Sequence, residues 1–178
     1  MMIQTILLLE QDLVKFLDRD NLNLKDSLQL LNPRFLPVFI FRISNAFYRH
    51  NLGFIAKLLA LKNQIIFGCD IARGARISGG LYLPHPNGIV IGEHVRIGRN
   101  CIIHQGVTLG ARGEDHEFAN PTVGHEVEIG TGAKILGFVR IGDYARVGAN
   151  AVVLHDVPDY GIAVGIPAKT IGLRPNIT

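Results

Sequence analysis

Seven histidines are the side chains here best suited to moving a proton near neutral pH: His50, His85, His94, His104, His116, His125 and His155. A neutral imidazole can take the proton of a hydroxyl as that oxygen attacks a carbonyl carbon. A carboxylate on the other ring nitrogen fixes the tautomer and stabilises the imidazolium. Residue type alone does not choose among the seven, because a histidine is most often an exposed turn residue. Other chemistries are less well served. Cys69 and Cys101 do not make a disulfide framework. Cys69 has no evident activating group. No CxxC or HExxH spacing occurs, so no metal centre is expected.

Charge narrows the partners. The 178 residues carry 18 Lys and Arg against 15 Asp and Glu, a net charge of +3. They form no dense basic cluster, which argues against a dedicated nucleic-acid binder. A mild positive field suits an anionic cofactor. Apolar residues at 48% and charged residues at 19% argue against a disordered chain. MMIQTILLLEQDLVKFL lacks a basic leader and is broken by Glu10 and Asp12, so it does not read as a targeting signal. The run from Phe35 to Phe41 is too short to span a bilayer. A soluble cytoplasmic protein is expected, with peripheral contact at the inner face of the membrane left open.

The elements that must hold such residues fall into two parts. Residues 1–67 read as a helical segment. Leu36, Phe39, Ile40, Ile43 and Phe47 form one apolar stripe, with Pro33 at its start. Further helices are expected over 3–18 and from Phe54 to Ile65, with Asn51, Leu52 and Gly53 as a turn. Residues 68–178 read differently. Ile71, Ile77, Leu83 and Ile89 are spaced by six, as are Ile91, Ile97, Ile103 and Leu109. Val123, Ile129, Ile135, Ile141, Val147 and Val153 repeat the spacing. Glycine follows many of these aliphatics, and small apolar residues, Cys101 among them, recur four places on.

This is a hexapeptide repeat, the signature of a parallel β-helix whose coils have a period of 18. The phase slips by two between Ile89 and Ile91, just after His85-Pro86-Asn87-Gly88. Leu109 to Val123 is eight residues longer than one hexad, so a polar loop must leave the coil within 111–121. The stretch from Gly165 to Lys169 is expected to cap the open end.

The segments CDIARGARI, HPNGIVIGE, GVTLGARG, TVGHEVEIGTGAKILG, ARVGANAVVLHDVP and VGIPAK resemble the hexapeptide-repeat acetyltransferases, in their serine acetyltransferase branch. The RGED…NPTVG stretch is also similar to the colanic-acid and capsular polysaccharide acetyltransferases of that branch. The resemblance implies a mainly β protein, a left-handed parallel β-helix preceded by an α-helical segment. It implies acetyl-CoA as donor and a homotrimer, in some members stacked as a hexamer. His85 falls on the family's catalytic base and Asp70 on the residue that orients it. Ala111, Thr131 and Ala149 fall on the positions that line the pantetheine groove. Lys169 falls on the basic residue that faces CoA phosphate, and Lys134 and Arg146 can add to that field.

Two departures bear on the acceptor. Serine acetyltransferases place Asp before the catalytic His, where this chain has Pro84. They place Arg-His before the proline that resumes the coil, where it has Ala119-Asn120. Those family residues grip the amino acid electrostatically. A sugar hydroxyl in surface-polysaccharide synthesis is therefore the expected acceptor, with Asn120, Arg112 and Asp115 as its candidate contacts. The alternatives are a serine O-acetyltransferase of cysteine biosynthesis and a catalytically silent β-helix scaffold. Loss of acetyl transfer in His85→Ala separates the scaffold from both enzymes.

Overall fold

The computed structural model describes residues 2–19, 21–113 and 119–175. Among these residues three α-helices come first: α1 (Met2–Leu17), α2 (Leu36–Arg49) and α3 (Gly53–Phe67). The expected helices are present with slightly shifted ends. Pro37, not Pro33, stands in the first turn of α2, where its missing N–H costs nothing. A 3-10 helix at Leu24–Leu31, unforeseen in the sequence, begins with a capping box between Asn23 and Asp26. Gly68 ends α3 in the left-handed conformation.

Among the described residues fourteen short strands follow, wound as a left-handed parallel β-helix with three faces. The first face stacks β1 (Asp70–Ile71), β3 (Val90–Ile91), β6 (Thr108–Gly110), β9 (Lys134–Leu136) and β12 (Val152–Val153). The second stacks β2 (Arg76–Ile77), β4 (Arg96–Ile97), β7 (Thr122–Val123) and β10 (Arg140–Ile141). The third stacks β5 (Ile102–Ile103), β8 (Glu128–Ile129), β11 (Arg146–Val147) and β13 (Gly161–Gly165). An antiparallel partner, β14 (Ala168–Leu173), closes the third face on β13. This handedness is a known exception to the right-handed crossover rule.

The register explains the phase slips. Thr108 pairs with Val90 and Lys134 with Val152, each 18 residues apart. Asp70 pairs with Val90 across 20 residues. The two extra residues lie in the corner that carries His85, and both Ile89 and Ile91 point inward. Thr108 pairs with Lys134 across 26 residues, which places the eight-residue excess at the corner after β6.

Each hexad aims two side chains into the prism. Ile91, Ile103, Leu109, Ile129, Ile135 and Ile141 are almost wholly buried, each stabilising the fold by about 1.5–3 kcal/mol. At Gly98, Gly124, Gly130 and Gly142 the glycine after the aliphatic is required by close approach of the next coil. A Cβ on Gly98 would lie 2.3 Å from the Gly124 carbonyl oxygen. The left-handed corners are a different set. Gly68, Gly88, Gly106, Gly132 and Asn150 all have positive φ and stack along one edge of the prism.

The helices cover the open end of the first coil. Val38 and Phe41 join the prism core. Phe16 packs edge-on against Phe35 at 5.4 Å and Tyr82 at 6.0 Å. Asn45 donates to the carbonyls of Arg73 and Ala75, satisfying the strand edge there.

Candidate active site

The edge between the third and first faces carries His85. Pro84 and Pro86 flank it and fix the backbone on both sides. Gly88 follows with φ of 73°. Its N–H donates to the Gly68 carbonyl at 2.8 Å, and the Asn87 carbonyl accepts from Gly106 N–H at 3.0 Å. The corner is thus bonded to the coils on either side, while the His85 side chain is exposed to solvent. A base that must reach an incoming hydroxyl needs this combination of rigid backbone and open imidazole.

Asp70 sits at the same edge. It is the first residue of β1, directly in register with Val90. Its N–H donates to the Ile89 carbonyl at 2.8 Å, and its carboxylate accepts from Gln64 Nε2 at 3.5 Å. Asp70 and His85 are fifteen residues apart, within a coil two residues longer than the regular 18. Among the described residues no hydrogen bond or ion pair joins Asp70 directly to His85.

The corners above His85 continue the edge. Gly132 N–H donates to Gln105, and Asn150 N–H donates to Thr131, both at 2.8 Å. Thr131 and Ala149 therefore line the same edge as His85, one behind the other. Lys134 Nζ donates to the Gly106 carbonyl and to Thr108 Oγ1 beside this edge. Arg146 pairs with Glu128 at 3.0 Å, so its charge is already matched. Lys169 is exposed on β14. His104 lies 3.6 Å from Glu128, and His125 accepts the Arg99 N–H at 2.8 Å. Those two histidines have local structural partners.

The remaining expected residues lie elsewhere. Ala111 and Arg112 are exposed just after β6, at the edge between the first and second faces. Asn120 is buried near that edge, with Oδ1 close over Gly92. Asp115 lies outside the described residues. Within one chain the expected site is therefore split between two edges of the prism.

The second edge holds a cleft of about 700 Å³ that sequence reasoning missed. Arg76, Arg96 and Glu93 line it beside Asn120, with Tyr48 and Phe138 as aromatic walls. A signal was present in the sequence. Arg76 and Arg96 occupy the same outward hexad position in successive coils, twenty residues apart.

The two cysteines are inert by environment. Burial, then the neighbouring Asp70 charge, pushes the Cys69 thiol up to about 12. Burial is also the main cause that pushes the Cys101 thiol up to about 11. Neither is a nucleophile at neutral pH. Among the described residues no helix is long and apolar enough to cross a membrane.

The model "Bacterial transferase hexapeptide (six repeats)" matches residues 120–155, and "Hexapeptide repeat of succinyl-transferase" matches 88–112. A serine acetyltransferase of Helicobacter pylori strain J99 is 43% identical over 142 residues, covering 80% of this chain and 83% of that protein. The structure of Neisseria gonorrhoeae serine acetyltransferase in complex with serine has a TM-score of 0.83 at 38% identity. It covers 94% of this chain and 69% of that one. A serine acetyltransferase in complex with CoA has a TM-score of 0.84 at 36% identity, covering 94% and 70%.

These likenesses overturn the expected sugar acceptor and its place in polysaccharide synthesis. The relatives are serine acetyltransferases across most of their length. The expectation rested on the lost basic pair at Ala119-Asn120, but cationic groups are present nearby. Arg76 and Arg96 stand in the cleft beside Asn120, on strands the motif does not include. The donor is acetyl-CoA and the acceptor bears a hydroxyl. The chain belongs to the hexapeptide-repeat acyltransferases, in their serine acetyltransferase branch.

Proposed function

We propose that this enzyme transfers the acetyl group of acetyl-CoA to the hydroxyl of L-serine, with His85 as general base. The observation that carries the reading is the His85 edge. One exposed imidazole on a doubly bonded corner shares that edge with Asp70 and with the small residues Thr131 and Ala149. In this reading the imidazole takes the seryl proton as the oxygen bonds to the thioester carbon. The carbon–sulfur bond then breaks, and the imidazolium returns the proton to the departing thiolate. Asp70 orients the ring and stabilises its positive form. Thr131, Ala149 and Ala111 hold the pantetheine arm, and Lys169 faces a CoA phosphate. Asn120 and Arg112 contact the acceptor, with residues 68–178 as the catalytic domain and 1–67 as its N-terminal helical segment.

The working form is a homotrimer. The split between two edges supports this, because neighbouring prisms can bring the His85 edge of one copy against the Asn120 edge of the next. Incubation with acetyl-CoA and L-serine, followed by mass analysis, tests the function. O-acetylserine formation dependent on His85 is expected. Absence of that product at saturating donor overturns it.

A further inference from the structure

The cleft at the second edge contains an arrangement that the fold alone does not require. Arg76 and Arg96 pair in register on β2 and β4, so their backbones lie about 4.8 Å apart. Both side chains are exposed on the same face. Like charges directly opposite each other on a sheet are destabilising. Two other outward arginines of the prism strands have acidic partners: Arg146 with Glu128 at 3.0 Å, and Arg140 with Asp159 at 3.9 Å. Among the described residues neither Arg76 nor Arg96 forms an ion pair.

The cleft also has an acid. Glu93 lies on its wall, folded over Gly74 so closely that a Cβ there would meet Oε1 at 2.3 Å. Tyr48 is held at the rim, with the Arg73 guanidinium 5.3 Å from its ring centroid. Phe138 is 84% exposed on the other side, which makes an apolar wall. Two guanidinium groups and one carboxylate in a cleft of about 700 Å³ match a small zwitterion. An α-amino acid offers its carboxylate to the arginine pair and its ammonium to Glu93.

We propose that Arg76 and Arg96 bind the carboxylate of the amino-acid acceptor, replacing the basic pair absent at Ala119-Asn120, and that Glu93 receives its ammonium group. This rests on the serine reading above, and on a neighbouring copy bringing its His85 edge to this cleft. Asn120 then stands beside the bound acceptor.

Steady-state kinetics of CoA release test it. The double variant Arg76→Gln/Arg96→Gln is expected to raise the KM for L-serine at least tenfold and leave the KM for acetyl-CoA unchanged. Arg76→Lys/Arg96→Lys keeps the charge and loses the fork, so its KM for serine is intermediate. Arg140→Gln, on the same face but already paired, keeps the wild-type KM. Glu93→Gln narrows the preference for L-serine over 3-hydroxypropionate, which lacks the ammonium. If the wild type turns over serine but the folded double variant keeps its KM within twofold, the carboxylate assignment fails alone. If the wild type shows no serine-dependent turnover, the serine reading itself fails.

Discussion

The Arg42 guanidinium grips both oxygens of the Asp12 carboxylate, Nε to Oδ2 at 2.7 Å and Nη2 to Oδ1 at 3.0 Å. The two residues are 3% and 0% exposed. The pair joins α1 to α2 and both to the first coil. Arg42 also donates to the carbonyls of Ile77 and Ser78, and Asp12 accepts the Leu81 N–H at 2.8 Å. Arg42 Nη1 and Nη2 and Asp12 Oδ1 thus each satisfy a backbone group at the end of the prism. Asp12→Asn leaves a buried guanidinium without its counter-charge. A loss of about 3–5 kcal/mol is expected, measured by urea denaturation. A change under 1 kcal/mol contradicts this role.

Asp70→Asn tests the orienting carboxylate. The amide keeps the size of the side chain but removes the charge that stabilises imidazolium. A fall in kcat of about 10²-fold or more is expected, with the KM for acetyl-CoA unchanged. An equal rise in both KM values with kcat preserved would point to a merely structural residue.

Two glycines should respond oppositely to alanine. At Gly98 the new Cβ meets a backbone oxygen of the next coil, which cannot move without opening the stack. At Gly53, in the first turn of α3, nothing lies within 4 Å. Gly53→Ala should raise the melting temperature, since it adds about 0.4–1 kcal/mol through the unfolded chain. Gly98→Ala should lower it. Equal shifts of the same sign would show that close approach does not explain the repeat glycine.

The thiols give a chemical test of the core. With Cys101 pushed up to about 11, and Cys69 to about 12, about one thiol in a thousand or fewer is ionised at pH 8. Native protein should resist maleimide at that pH and take two labels once unfolded. Both values lie above the ordinary 9.0, so the unfolded chain loses these protons first. The corresponding stability is full below pH 9 and is lost as pH rises towards 11 and 12. Rapid native labelling would contradict the burial.

Much of the prism can be read directly from the chain. A six-residue spacing of aliphatics has few solutions other than a β-helix, because each hexad must aim the same position inward. The location of the two-residue slip and of the eight-residue loop followed from the same count. The edges could not be read in this way. His85 and Thr131 are 46 residues apart in sequence and share an edge only because corners stack, whereas Ala111 falls on another edge. The Arg76–Arg96 pair escaped notice because outward hexad positions tolerate any polar residue, so an arginine there carries no signal until register places two together. The acceptor is hidden for the same reason: absence of the basic motif at Ala119-Asn120 is not absence of positive charge at the cleft.

The measurement closest to the central claim is the initial rate of CoA release from acetyl-CoA with L-serine, in wild type and His85→Ala. Serine-dependent release is expected in the wild type and a fall of about 10²–10⁴-fold in the variant, with acetyl-CoA binding retained. Serine-dependent release that survives in His85→Ala would contradict that claim.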